Sequence, residues 1–117
     1  MNILIVDEDP IVVELLSVFL ANRGHLVKSL CGKKRAMEVL EFERYDWAFV
    51  DFKAQDSEGA KFIELIRHHH PAVKIVMMTA AIAQAQALAV RASIDKIVEK
   101  PLKWEDIAEL VAKFEAV

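Results

Sequence analysis

Short apolar segments alternate with stretches of helical length along this chain, and this alternation constrains the fold more than any other feature. The apolar segments are each too short for a helix, and they run from Ile3 to Val6, Leu26 to Leu30, Trp47 to Val50, Val73 to Met78 and Ile97 to Val98. The amphipathic stretches that follow them are Ile11 to Arg23, Lys34 to Phe42, Ala60 to His69, Ile82 to Arg91 and Trp104 to Phe114. The pattern predicts a strand followed by a helix, repeated five times.

A parallel sheet follows from this order, because parallel neighbours need a long return connection that a helix supplies. The nearly continuous apolar runs Ile3 to Val6 and Ile75 to Met78 are typical of strands that are covered on both faces. Asp9 and Pro10 are suited to cap and begin the first helix, and Gly24 is suited to end it. We therefore predict a doubly wound α/β sandwich that forms one domain over residues 1–117.

Charge and hydropathy argue against several classes of function. With 15 basic and 18 acidic residues the net charge is only -3, so no overall field attracts nucleic acid or an anionic membrane. The longest nearly apolar run, Ile75 to Ala83, is far shorter than the roughly 20 residues that span a bilayer. The acids from Asp7 to Asp9 interrupt the early apolar stretch, which argues against a secretory signal. We expect a cytoplasmic domain that binds neither nucleic acid nor membrane directly.

Polar side chains stand where four of the predicted strands end. Asp7 and Glu8 follow the first strand, while Asp51, Thr79 and Lys100 come at the ends of the third, fourth and fifth. In an open parallel sheet the functional crevice lies beyond the carboxyl ends of the strands. We expect these five side chains to converge at that edge.

Three carboxylates in one crevice repel each other unless protons or a cation compensate their charge. Oxygen ligands suit a hard ion, and magnesium commonly takes one or two carboxylates while keeping waters and phosphate oxygens in its shell. We therefore predict a Mg²⁺ site. Beside the metal, Asp51 can act as a nucleophile toward phosphorus, with Lys100 neutralising developing charge and Thr79 donating a hydrogen bond.

With these residues in place, the chain resembles the receiver domains of bacterial two-component response regulators, the family that includes the single-domain chemotaxis receiver. The resemblance covers essentially the whole chain. It rests on the run Ile3 to Asp9, Asp51 with Gly59 eight residues later, Met78-Thr79-Ala80, and Lys100-Pro101. It implies a flavodoxin-like fold with strand order 2-1-3-4-5.

The resemblance also implies a role for each site residue. These roles are phosphoacceptor for Asp51, acidic pair of the magnesium site for Asp7 and Glu8, switch hydroxyl for Thr79 and phosphate-binding lysine for Lys100. The backbone carbonyl of Lys53 corresponds to a further metal ligand, and the bond before Pro101 is often cis in the family. A sensor histidine kinase or phosphotransfer protein would supply the phosphoryl group, and the domain would act on no separate substrate.

The chain departs from the family pattern at several positions. Glu8 replaces the more usual aspartate, and Ala54-Gln55 stands where a Met-Pro pair is common, which leaves the following loop less restrained. Ile97 occupies the position of an aromatic residue that often changes orientation on activation. We hypothesise that the side chain of Lys53, near the phosphate entrance, modulates hydrolysis of the acyl phosphate.

The surface that carries the output is a separate prediction. The stretch from Ala80 to Ala92 is rich in small residues and poor in charge, so it forms either a packed helix or an interaction surface. In receivers the fourth helix, fifth strand and fifth helix often form the face for partners or dimers. We expect a second copy of the chain or a downstream partner to use that face.

The sequence is also compatible with two other functions. One is a degenerate receiver, a protein-interaction module that keeps the fold without phosphate chemistry, although Asp51, Thr79 and Lys100 argue against it. The other is a phosphatase with an aspartate nucleophile. Such hydrolases typically need a second aspartate two residues after the nucleophile, where this chain has Lys53.

Overall fold

A parallel sheet of five strands, in the order β2-β1-β3-β4-β5, lies at the centre of the molecule. The computed structural model describes residues 1–32, 44–53 and 57–116. The strands are β1 (Asn2–Val6), β2 (Leu26–Leu30), β3 (Trp47–Asp51), β4 (Lys74–Thr79) and β5 (Lys96–Glu99). Each strand begins and ends within one residue of its predicted limits, so the predicted sheet, its strand order and the flavodoxin-like fold are confirmed.

The helices of the described residues are α1 (Pro10–Asn22), α2 (Ser57–His69), α3 (Ile82–Ala92) and α4 (Trp104–Glu115). The helix predicted from Lys34 to Phe42 and the pair Ala54-Gln55 lie outside the described residues. At the start of α1, Asp9 accepts a hydrogen bond from the Ile11 backbone N–H, as the sequence predicted.

The predicted start of α2 at Ala60 is wrong by three residues. Ser57 and Gly59 are poor helix formers, so apolar periodicity alone placed the start too late. The helix nevertheless begins at Ser57, where the carboxylate of Glu58 in its first turn is favourably placed toward the positive end of the helix dipole.

Alternate residues of the strands pack on opposite faces of the sheet. Leu4 and Val6 contribute to the core under α2 and α3, whereas Ile3 and Ile5 contribute to the core under α1 and α4. The central strands are therefore buried on both faces, which explains their continuous apolar runs. Among the helices described, none is long and apolar enough to cross a bilayer. This layering leaves the carboxyl edge of the sheet as the place where polar side chains can meet.

Candidate functional site at the carboxyl edge of the sheet

Asp7 and Asp51 lie side by side at the carboxyl ends of two paired strands. β1 pairs with β3 through Val6 and Val50, and each carboxylate residue comes directly after its member of that pair. Both are almost fully buried, with 1% of Asp7 and 3% of Asp51 exposed. Two neighbouring carboxylates at this depth need a positive partner to remain charged.

Lys100 supplies that partner from the end of β5. Its Nζ donates hydrogen bonds to Asp7 Oδ2 at 2.8 Å and to Asp51 Oδ1 at 2.9 Å. Burial on its own lowers the pKa of Lys100, but the hydrogen bonds to the two carboxylates outweigh it and raise the pKa above its usual value. Lys100 is therefore held as an ammonium between the two acids.

The second carboxylate oxygen of Asp51, Oδ2, is in a different environment from the first. Asp51 Oδ2 is buried and accepts no hydrogen bond within the part of the chain that the structure describes. Asp51 also lines a pocket of about 460 Å³, together with Phe52, Lys53, Ala80, Ala81, Gln84 and Lys100. A buried carboxylate oxygen without a donor is costly, so it marks a place where a ligand or cation would be stabilised.

Thr79 ends β4 and is fully buried. Its Oγ1 accepts a hydrogen bond of 2.8 Å from the backbone N–H of Ala81, which precedes α3. Its carbonyl oxygen accepts a hydrogen bond of 2.9 Å from the backbone N–H of Lys100. Thr79 is thus hydrogen-bonded both to Lys100, which contacts the two acids, and to Ala81, which directly precedes α3.

Glu8 and Lys53 lie at the exposed side of the site. Lys53 Nζ donates to Glu8 Oε2 at 2.5 Å, and more than half of each side chain is exposed to solvent. The hydrogen bond to Glu8 is the largest of the effects that raise the pKa of Lys53. Glu8 is therefore paired with an ammonium group at the surface, whereas Asp7 and Asp51 contact Lys100 in the interior.

The acids partly fit the predicted magnesium site. Their oxygens are of the kind that hard cations prefer, and Asp51 Oδ2, which accepts no hydrogen bond from the residues described, is one buried ligand available to a cation. Over residues 1–32, 44–53 and 57–116, however, no three His, Cys, Asp or Glu side chains are grouped as a metal site. Asp7 and Asp51 share Lys100, while Glu8 binds Lys53, so the full set of ligands remains a prediction.

Sequence reasoning missed Gln84 as a residue of this pocket. Gln84 is a polar residue in the first turn of α3, one of the two glutamines of that helix, and it lines the cavity beside Asp51. The sequence could have indicated Gln84, because the helix that contains it begins shortly after Thr79, at the same edge of the sheet. The peptide bond between Lys100 and Pro101 is cis, as the resemblance implied.

The face predicted to bind partners is formed by α3, β5 and α4. These helices are the fourth and fifth of the sequence prediction, because the predicted second helix lies outside the described residues. A groove of about 440 Å³ runs between β5 and α4 there. Val90 of α3 is 85% exposed, whereas Ala85, Leu88 and Ala92 pack into the core, so the small residues of α3 serve packing on one side only. Ile97 is partly buried against the core at the position where an aromatic residue is common.

Comparisons with known proteins point to one family. The profile of the response regulator receiver domain matches residues 3–112. The response regulator protein PilR of Pseudomonas aeruginosa is 31% identical over 110 residues, which cover 93% of this chain and 25% of PilR. The chain therefore spans about a quarter of that curated relative.

Solved structures show the same fold. A CheY-like response regulator receiver domain protein from Methanospirillum hungatei superposes with a TM-score of 0.86 at 26% identity, covering 96% of this chain and 90% of that one. A two-component response regulator from Clostridium difficile superposes with a TM-score of 0.84 at 27% identity, covering 99% of this chain and 93% of that one. The chain belongs to the response regulator receiver domain family.

Proposed function

We propose that this chain accepts a phosphoryl group on Asp51 and that the resulting acyl phosphate changes its partner-binding surface. The observation that carries the proposal is the state of the Asp51 carboxylate. One oxygen accepts a hydrogen bond from Lys100, and the other is buried at the wall of an open pocket, with no hydrogen-bond partner among residues 1–32, 44–53 and 57–116. This arrangement suits a nucleophile that attacks a phosphorus atom brought into the pocket.

The donor in this proposal is a phosphohistidine of a sensor histidine kinase or of a phosphotransfer protein. A carboxylate oxygen of Asp51 forms a bond to phosphorus as the bond between phosphorus and the histidine nitrogen breaks, and that nitrogen keeps the bonding electron pair. Lys100, held as an ammonium beside Asp51, neutralises charge on the phosphoryl oxygens. Thr79 would then turn its hydroxyl from the Ala81 N–H toward one of those oxygens.

Asp7, Glu8 and Asp51 would hold Mg²⁺, with the backbone carbonyl of Lys53 as a further ligand. When bound, the cation would offset the negative charge of the acids and of the phosphoryl oxygens. The chain's own part is to present two buried carboxylates side by side and one acid at the solvent side. A cation at Glu8 would compete with the contact between Glu8 and Lys53.

The switch follows from the charge that the reaction adds. A phosphoryl group brings roughly -1.5 to -2 charges, which would draw both Lys100 and the Thr79 hydroxyl toward Asp51. Without the phosphoryl group, the Thr79 hydroxyl accepts a hydrogen bond from the Ala81 N–H. Movement of the hydroxyl toward the phosphoryl group would break this hydrogen bond and allow the segment before α3 to change its conformation. The equilibrium between two arrangements of the face formed by α3, β5 and α4 would shift, and a downstream partner or a second copy would bind one of them.

Incubation with acetyl phosphate and Mg²⁺, followed by intact-protein mass spectrometry, tests this proposal. We expect the wild type to gain the mass of one phosphoryl group, and the Asp51→Asn variant and a sample with EDTA to gain none. Asp46→Asn is the matched control, because Asp46 is exposed at the opposite end of β3 and should leave the gain unchanged. A wild-type protein that gains no mass would contradict the proposal and support a degenerate receiver, and sustained turnover of small phosphate esters would support a phosphatase.

A further inference from the structure

The Glu8–Lys53 ion pair lies at the solvent side of the acidic site. Lys53 Nζ is 2.5 Å from Glu8 Oε2, and 59% and 61% of the two side chains are exposed. Lys53 also lines the pocket that contains Asp51 and Lys100. The negative charges of Asp51 and Asp7 act on Lys53 in addition to its bond with Glu8, so its ammonium group lies within the field of all three acids.

Among the residues that the structure describes, Lys100 and Lys53 bring two ammonium groups to the three carboxylates at this edge. Lys100 donates hydrogen bonds to Asp7 and Asp51, and Lys53 donates one to Glu8. A divalent cation that enters the site must compete with Lys53 for the Glu8 carboxylate and must also overcome repulsion from its positive charge. Because the pair is exposed, its separation costs little, and the competition lowers the affinity for the cation without preventing binding.

We propose that Lys53 is an internal counter-ion that competes with the divalent cation for Glu8 and thereby sets the cation affinity of the site. This inference rests on the proposed function, since it presumes a cation site at Asp7, Glu8 and Asp51. In the absence of the cation, Lys53 holds Glu8 outside the buried cluster. When the cation binds, Glu8 is exchanged from Lys53 to the metal, and the lysine side chain is freed at the mouth of the pocket.

Manganese binding tests this exchange without any phosphoryl transfer. The electron paramagnetic resonance signal of free Mn²⁺ gives the amount of bound metal during a titration, and Mg²⁺ is then added as a competitor. We expect Lys53→Met to bind both ions about three- to tenfold more tightly than the wild type, because it removes one positive charge and the competing donor. Lys53→Arg keeps the charge and should stay close to the wild type.

Two controls separate this effect from a general change in charge. Lys113→Met changes the net charge by the same amount. Because Lys113 pairs with Glu109 near the end of α4, this variant should bind metal with the affinity of the wild type. In a Glu8→Gln background, Lys53→Met should change the affinity by less than it does in the wild type. Equal or weaker binding by Lys53→Met, relative to the wild type, would overturn the inference. If neither the wild type nor Lys53→Met binds Mn²⁺, the proposed cation site itself fails.

Discussion

The Nζ atom of Lys100 lies 2.8 Å from Asp7 Oδ2 and 2.9 Å from Asp51 Oδ1, so one ammonium group bridges two buried carboxylates. These residues come from β5, β1 and β3 or the positions directly after them. The contact therefore ties three strands together at the edge where the chemistry is proposed. It also makes the stability of the fold depend on the charge of the site.

Replacing Lys100 by methionine should destabilise the protein, because Asp7 and Asp51 would lose their shared counter-ion. Removing one partner of a buried ion pair costs about 3–5 kcal/mol, and the partial exposure of Lys100 reduces this to an expected loss of about 2–3 kcal/mol. The free energy of unfolding in urea measures the loss. Adding Asp51→Asn to this variant should restore part of it, while Lys113→Met should change it little. An unchanged urea midpoint for Lys100→Met would show that the bridge is not stabilising.

Thr79→Val should separate phosphorylation from the switch. Valine has nearly the same shape but lacks the oxygen that accepts the Ala81 N–H, so we expect a stability loss of about 1–2 kcal/mol. Phosphoryl uptake by Asp51 should persist. The amide NMR shifts that beryllofluoride induces in α3 should be lost, whereas Thr79→Ser should retain them. Shifts in α3 that match the wild type in Thr79→Val would argue against a role for the hydroxyl.

Arg67 joins the ends of several elements far from the site. Its guanidinium group donates to the carbonyl oxygens of Ala92, Pro71, Val73 and Ser93 and to the carboxylate of Asp95. Because several of these acceptors would lose their donor, Arg67→Met should lower the free energy of unfolding by about 2–4 kcal/mol. Arg91→Met is the matched control: its pair with Glu64 is exposed, so a change below about 0.5 kcal/mol is expected. Equal effects of the two substitutions would refute this account.

Glu115 connects the end of α4 to the turn before β2. Hydrogen bonds from Arg23 first, and then from His25, lower the pKa of Glu115 from 4.5 to about 2. A carboxyl whose pKa is lower in the folded state stabilises the fold above its unfolded pKa, and this stabilisation is lost as the pH falls through the folded pKa. Its contribution should therefore be complete above pH 4.5 and disappear near pH 2.

The comparison of Glu115→Gln with the wild type checks this pH dependence. Near neutral pH the variant should unfold at a lower urea concentration, and the difference should shrink steadily as the pH falls from 4.5 to about 2. Glu109→Gln removes an exposed pair with Lys113 and should differ little from the wild type across this range. A difference for Glu115→Gln that stays constant with pH would rule out the ion pair as its cause.

The sheet was predictable from sequence because its central strands are buried on both faces. A run such as Ile3 to Val6 has no other low-energy place in a chain of this size, and its polar neighbour Asp7 marks where the strand ends. The start of α2 was not predictable from apolar periodicity, because neither Ser57 nor Gly59 adds a large apolar side chain to the pattern. Helix ends depend on local capping, which a periodic pattern does not contain.

The sequence predicted which residues form the candidate site, but it did not predict which of their charged groups pair with each other. Strand ends determine which residues meet, so Asp7, Asp51 and Lys100 follow from topology alone. The partner of each charged side chain depends on side-chain length and direction, so the contact between Glu8 and Lys53 could not be read from spacing. The contacts of Arg67 were missed for a different reason: most of its acceptors are backbone carbonyls, which leave no signal in the sequence.

The position of the phosphoryl group tests the central claim most directly. Borohydride reduces an acyl phosphate of aspartate to homoserine, and trypsin then releases the peptide from Tyr45 to Lys53, which contains both Asp46 and Asp51. After treatment with acetyl phosphate and Mg²⁺, tandem mass spectrometry should place homoserine at position 51 and leave Asp46 intact. Homoserine at Asp46, or in any peptide other than this one, would contradict the account.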